Sequence, residues 1–221
     1  MKKSTPNLLF ALVLLAIPFG YAAYLYPSLP ATIPTHFNMK GEADGFGGKD
    51  TIFLGPAIMS GVGLFTFFLL SNIKNLDPKR FKEEDDGLFK KLALFMVGFL
   101  SVLGLIITFS AINSSVNITK LILPFLGLMF SVMGWYMPKL HQNYFAGFKL
   151  PWTLENIDNW NATHKVAGKL WKVGGIFIFI FTLALPAKFA GISFAIFTTI
   201  ISISPIVFSY RMFKNGNQVN K

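Results

Sequence analysis

The 221-residue chain contains no cysteine. Disulfides, thiolate nucleophiles and cysteine-ligated metals are therefore excluded. Charge is scarce as well. Asp, Glu, Lys and Arg make up 14% of the residues, against about 25% in an ordinary soluble domain. Acidic residues are the rarer sign, ten against twenty basic, which leaves a formal charge of +10. The phosphate-cradling loop of nucleotide hydrolases, the dinucleotide fingerprint and the basic–aromatic interleaving of RNA binders are all missing. Nucleic acid is thus not an expected partner despite the positive charge. Serine is absent from the longest polar interval, residues 138–169. No nucleophile there stands at motif spacing from a base, so the chain is not expected to be an enzyme, and no cofactor is expected.

What is abundant is apolar surface. Hydrophobic residues form 53% of the chain, with 25 phenylalanines, and the mean hydropathy is +0.54. Six blocks approach the roughly 20 residues that cross a bilayer as helix. They are Asn7–Tyr26, Thr51–Ile73, Leu92–Ile112, Leu121–Met137, Leu170–Pro186 and Phe189–Tyr210. The first is read as an uncleaved span rather than a signal peptide, although Ala22-Ala23 supplies small residues of the cleavage type. Pro18 is expected to kink it. Gly61 and Gly63 in the second block permit close approach of a neighbour. In the fourth, Gly127, Ser131 and Gly134 fall on one helix face, a pattern that suits tight helix packing in lipid. Lys172 lies within the short fifth block and is expected to snorkel. Blocks one to four and six carry no charge at mid-span, which argues against proton-coupled transport. A small-solute or ion facilitator stays open as an alternative.

The fold expected is all-α: a polytopic membrane protein with six transmembrane helices. Residues 1–74 would hold two spans and a loop at 27–50. Residues 75–221 would hold four spans and a loop at 138–169. Basic residues decide the expected orientation. With the N-terminus inside, the inner segments hold 16 of them: Lys2, Lys3, Lys74, Lys79, Arg80, Lys82, Lys90, Lys91, Lys139, Lys149, Lys165, Lys169, Lys172, Arg211, Lys214 and Lys221. The outer segments hold 4, namely Lys40, Lys49, Lys120 and Lys188. Both termini are then cytoplasmic and the location is the plasma membrane.

The outer loop is rich in turn residues. Pro30 and Pro34 stiffen it, Gly41 and Gly45 are expected at positive φ, and His36 and Asn38 are expected to bond to backbone. His36, Glu42, Asp44 and Asp50 are metal-ligating types, but their spacing is no recognised signature, and no metal is expected. In the inner loop, His141 and His164 would act as base only with a third partner, for which Glu155 and Asp158 are the candidates. A membrane enzyme using either histidine is the second alternative. Residues 82–91 have the character of a short surface helix. Trp152, Trp160 and Trp171 read as interfacial anchors. Trp160, His164, Ala167 and Trp171 recur at steps of 4, 3 and 4. This is one stripe of an amphipathic helix over 158–172, with Asn161, Lys165, Lys169 and Lys172 opposite. Such a helix lies on anionic lipid or docks a cytoplasmic protein.

The two loops together resemble a known family. Gly134, Pro138, Asn143, Phe145, Gly147, Pro151-Trp152-Thr153-Leu154, Trp160, Thr163-His164 and Gly168 are similar to the signature of the SdpI family. Its founding member confers immunity to a secreted, sporulation-delaying peptide toxin of Gram-positive bacteria. Ile33-Pro34-Thr35-His36-Phe37-Asn38, Gly41, Asp44-Gly45-Phe46 and Lys49 resemble a small domain of unknown function that often precedes it. Together the two patterns run the length of the chain. The sequence departs from the pattern at Trp135, where Asn is common, at Lys149 and Lys165, where Arg is usual, and at Leu150, where Thr is usual. Lysine lacks the bidentate fork of arginine.

The resemblance implies an immunity protein that binds a toxin at the membrane and, once loaded, holds a cytoplasmic repressor there. The candidate functional residues it implies are His36, Asn38, Gly41, Asp44 and Lys49 facing the peptide. Asn143, Gly147, Pro151, Trp152, Thr153, Trp160, Thr163 and His164 would face an inner partner.

Overall fold

The computed structural model describes residues 5–38, 40–113 and 115–219. Lys2, Lys3 and Lys221, which entered the charge count, lie outside them. Among the described residues six helices are long and apolar enough to cross a membrane, and the molecule is a multi-pass membrane protein. Many apolar side chains on these helices are exposed, among them Phe10, Phe65, Ile180 and Ile196.

The helices are α1 (Thr5–Leu25), α2 (Leu54–Ser71), the single turn α3 (Ile73–Leu76), α4 (Asp86–Ile112), α5 (Thr119–Tyr136), the short α6 (Pro151–Glu155), α7 (Ile157–Ala184) and α8 (Ala187–Val219). The fold is all-α in its spans, with one small addition. Strands β1 (Thr32–Phe37) and β2 (Ala43–Gly48) form an antiparallel hairpin between α1 and α2.

Two expectations need correcting. Residues 157–184 are one continuous helix rather than a surface helix followed by a short span, because no proline interrupts it between Pro151 and Pro186. Residues 82–91 are not a separate surface helix. A 3-10 turn at Glu83–Asp85 leads directly into α4, which begins at Asp86.

The chain divides into two compact units. The first comprises residues Met1–Asn72 and Gly87–Ile122. Here Ala11, Leu15, Phe67, Ala93 and Val97 form a buried cluster. Pro18 sits inside α1 and has no N–H to give the carbonyl of Leu14, four residues back. In hydrocarbon an unpaired carbonyl is expensive, because no water reaches it. Ser101 of α4 donates to that carbonyl at 2.5 Å. Gly104, one turn further along α4, leaves room for the proline ring: a Cβ there would stand 3.3 Å from Pro18 Cγ. A second cluster, Ala22, Ile33, Ile52 and Ala111, seats the base of the hairpin.

The second unit comprises residues Ile73–Asp86 and Leu123–Lys221. The small-residue face of α5 packs directly on α7. A Cβ on Gly127 would reach the backbone of Phe179 and Gly175, and one on Gly134 the backbone of Gly168 and Lys172. Ser131, between them, donates to the carbonyl of Lys172 at 2.6 Å. In α8, Pro205 deprives the Ile201 carbonyl of its helical donor, as Pro18 does for Leu14. Trp171 of α7 supplies the replacement, Nε1–H to Ile201 oxygen at 3.0 Å. Trp171 is therefore a partner for α8 rather than an interfacial anchor.

These substitutions of side-chain for backbone donors are testable as a cycle. Ser101→Ala should destabilise the protein in detergent by about 1–3 kcal/mol, the usual cost of an orphaned buried acceptor. Adding Pro18→Ala restores the amide donor and should recover most of the loss. Thermal unfolding of the two single variants and the double variant would show non-additivity. Simple addition of the two effects would mean that the bond to Leu14 carries no weight.

Candidate functional site

Two segments carry the residues singled out from the sequence. The first is the hairpin. Thr32 pairs with Gly48, Ile33 with Gly47 and Pro34 with Phe46, after which the register shifts so that His36 faces Gly45. Pro34 is tolerated because a two-stranded sheet has only edges. The tip is held by Asn38, whose side-chain oxygen accepts from the amides of Lys40 and Glu42 at 2.8 and 3.1 Å. Its amide group donates to Glu42 Oε2 at 3.1 Å. Gly41 takes φ +77°, and a Cβ there would collide with Asn117. Asn117 in turn donates to the Lys40 carbonyl at 2.6 Å, which ties the tip to the start of α5. That tie escaped sequence reading. An Asn in a short turn reads as local turn chemistry, and only the fold brings residue 117 to residue 40.

His36 Nδ1–H donates to Asp44 at 2.5 Å across the hairpin, and both side chains are exposed. The histidine thus bonds to a carboxylate and not to backbone as expected. Gly45 does not take positive φ. It faces His36, where a Cβ would stand 2.9 Å from the His36 Cβ, so its role is room for a cross-strand neighbour. Lys49 caps the base with its ammonium 4.5 Å from the centre of the Tyr26 ring, and the Tyr26 hydroxyl donates to Asp50. Phe46 is left 62% exposed. His36 and Asp44 pair with each other, and among the described residues no three metal-ligating side chains converge.

The second segment runs from the end of α5 through α6 into α7. Asn143, 4% exposed, closes a tight turn. Its oxygen accepts from the amides of Phe145 and Ala146, both at 2.8 Å, and its amide donates to the carbonyls of His141 and Ala146. Gly147 follows at φ +110°. Phe148 then donates its amide to His164 Nε2 at 3.0 Å. His164 Nδ1 faces the Trp160 carbonyl at 2.8 Å. An amide can only donate and a carbonyl can only accept, so the two partners fix His164 as the neutral Nδ1–H tautomer. Both ring nitrogens are committed inside the protein. A Cβ on Gly147 would run into His164 Nε2, which is why this turn takes glycine.

The remaining signature residues lock the same loop. Pro151 opens α6 at its first turn, where no N–H is needed. Thr153 Oγ1 accepts the Leu150 amide at 2.9 Å and lies 2.7 Å from the Phe148 carbonyl. Trp160, fully buried, donates to the Leu140 carbonyl at 2.7 Å and stacks on His164 with ring centres 4.0 Å apart. Thr163 donates to Asn159 at 3.0 Å, and Asn159 donates to the Ser209 carbonyl at 2.9 Å. The Trp152 indole N–H donates to the Ser209 hydroxyl.

Trp160, His164 and Ala167 are all buried. The stripe read as a membrane-facing or docking face is thus an internal seam, and Trp160 is not an interfacial anchor. Trp152 likewise bonds to α8. Helical periodicity marks a buried face but does not say what buries it. Gly168 continues the seam against Pro138 and the Gly134 carbonyl.

His141 does not meet His164. Its Nδ1 lies 2.6 Å from Asp85, a carboxylate only 4% exposed. Asp85 and Asn159 were missed from the sequence: the first lies in a charged linker and the second among several asparagines.

With that geometry in view, two family models match. Residues 139–209 match the SdpI/YfhL protein family. Residues 13–60 match the domain of unknown function (DUF1648). The first match holds the Asn143–Gly147–His164–Asn159–Ser209 network and the second holds the hairpin. An uncharacterized protein of Archaeoglobus fulgidus is 39% identical over 49 residues, which is 22% of this chain and 27% of the relative. The alignment therefore spans about a quarter of the relative's own length. No solved structure matches the chain.

In this chain the segment that matches the SdpI/YfhL family thus acts as a loop clamp, and this is open to test. Gly147→Ala should cost about 1–3 kcal/mol through backbone strain alone, and more through its clash with His164. His164→Ala should leave the Phe148 amide without an acceptor. Hydrogen exchange of residues 138–156 should accelerate at least tenfold in both variants. Unchanged exchange in His164→Ala would remove the histidine from this role.

Proposed function

We propose that this protein is a membrane-embedded immunity protein of the SdpI type. It would bind a secreted peptide toxin at the hairpin and act by binding rather than by catalysis. The observation that carries this reading is the hairpin itself. Asn38, Asn117, Gly41 and the His36–Asp44 pair hold its backbone rigid, while Phe46 stays exposed at its surface. A rigid platform with a free aromatic suits peptide capture, because little ordering entropy is lost on binding. The other end of the argument is chemical. Trp160, Thr163 and His164 spend their polar groups on the protein, which favours a structural reading of the signature over a catalytic one. The resemblance to immunity proteins gives the toxin its class.

The orientation follows from the basic-residue bias, with both termini cytoplasmic in the plasma membrane. Three spans separate the hairpin from the 138–156 segment, an odd number, so the two lie on opposite sides. The hairpin would then face the exterior and the signature segment the cytoplasm, beside anionic lipid and any repressor recruited there. The absence of native cysteine makes this directly checkable. A single cysteine at Lys40 should react with a membrane-impermeant maleimide in intact cells, and one at Lys149 only after permeabilisation. The reverse pattern would invert the topology.

Protection is the functional test. In a sensitive Gram-positive host without its own immunity gene, the wild-type chain should preserve membrane potential on addition of the purified toxin. His36→Ala, Asp44→Ala and Phe46→Ala should lose protection while inserting normally. Full protection by all three would exclude the hairpin as the binding surface.

A further inference from the structure

The link between α2 and α4 holds two buried groups that the packing leaves unsatisfied. Asp77 is only 6% exposed, and its Oδ2 is buried with no hydrogen-bond partner among the described residues. Arg80, three residues on, has a buried Nη1 in the same condition. The turn that carries them is well formed. The amides of Arg80 and Phe81 donate to the Asp77 carbonyl at 3.3 and 3.0 Å, and the Asp77 amide donates to Ile73 at 2.8 Å. The guanidinium of Arg80 is fixed as well, 4.1 Å from the centre of the Tyr144 ring. Stacking on an aromatic face leaves the in-plane N–H groups of a guanidinium unspent. One turn therefore carries, three residues apart, a buried carboxylate oxygen and a buried guanidinium nitrogen, neither with a hydrogen-bond partner among the described residues. Such groups are rare, since each costs the full desolvation of a charged atom.

We propose that this turn is a binding site for the headgroup of a zwitterionic aminophospholipid. A simple anion would suit Arg80 but would be repelled by Asp77. A simple cation would meet the reverse difficulty. A primary ammonium joined to a phosphate by a two-carbon tether satisfies both: the ammonium donates to Asp77 and the phosphate accepts from Arg80. Location supplies the source. The turn lies between the spans Lys49–Ser71 and Asp86–Ile112, so it sits at a membrane boundary, where headgroups are the most concentrated molecules of this chemistry. Lys79 and Lys82 are exposed on the same link and draw the phosphate in. Lys74 is paired with Glu83 at 3.5 Å. The site is independent of the toxin-binding reading, because it uses neither the hairpin nor the signature residues.

The test uses the full chain in detergent, with lipid retention read by native mass spectrometry. Phosphatidylethanolamine, its mono- and dimethyl derivatives, phosphatidylcholine and phosphatidylglycerol are offered singly at equal concentration. Wild type should retain phosphatidylethanolamine about tenfold better than phosphatidylcholine, the scale of one charge-assisted hydrogen bond, and retention should fall as methyl groups replace N–H donors. Asp77→Asn and Arg80→Gln should each bring that ratio close to one. Free phosphoethanolamine at high concentration should displace the bound lipid. Failure of the free headgroup to displace the lipid at any concentration would overturn the headgroup site. Equal retention of the ethanolamine and choline lipids by wild type would also overturn the proposal. So would a preference for phosphatidylglycerol, which would assign binding to the surface lysines. Should a variant fail to fold, the methylation series on wild type decides alone.

Discussion

In hydrocarbon there is no water to complete a broken hydrogen-bond ladder, and that constraint accounts for much of this structure. Pro18 and Pro205 each remove a backbone donor from the middle of an apolar helix. Ser101 and Trp171 reach across from neighbouring helices to the carbonyls left behind. Each proline thus specifies its neighbour: the helix that supplies the missing donor must pack at that height and with that face. A pair of features that look like local flaws becomes a pair of registration points, one in each compact unit. Close packing does the rest, through glycines on α5 and α7 that bring backbone within reach of backbone.

The same accounting explains the segment between α5 and α7. A polar loop that enters a buried seam must satisfy its own amides and carbonyls. Asn143 closes the first turn, Gly147 lets the chain reverse, and His164 receives the next amide. Thr153 and Trp160 take up the amide of Leu150 and the carbonyl of Leu140. The polar signature residues therefore bond to backbone atoms, or, for Trp152 and Thr163, to the side chains of Ser209 and Asn159, and the histidine accepts an amide in a folded loop. The hairpin follows a different logic. Its polar groups tie down the tip and leave side chains such as Phe46 outside, which makes it the better of the two segments for meeting something that is not part of the chain.

The link between α2 and α4 stands apart from both. There the accounting does not close within the protein, and a carboxylate and a guanidinium wait on the same turn. A membrane protein has a partner always at hand that a soluble protein lacks, its own lipid. Read this way, the three polar regions divide the work. One is satisfied internally, one is turned outward as a platform, and one is completed by the bilayer.

The amino-acid sequence by itself determined the class. Six apolar blocks and a shortage of charge leave a multi-pass helical membrane protein as the reading, and the glycine–serine face of the fourth block marked a packing surface that the structure places on α7. Gly41 at positive φ and the ordered, turn-rich loop around it were also legible, because glycine and asparagine carry their turn preferences locally. What only the tertiary structure decided is who faces whom. The stripe Trp160–His164–Ala167 has the same 3.6-residue period whether it meets lipid, a partner protein or the protein's own interior. Only the packing of α7 shows that it is internal. That His141 pairs with Asp85, that Asn117 holds the hairpin tip, and that Ser101 serves Leu14 are contacts across 56, 77 and 87 residues. No local pattern encodes them, since they exist only once the helices have chosen their neighbours.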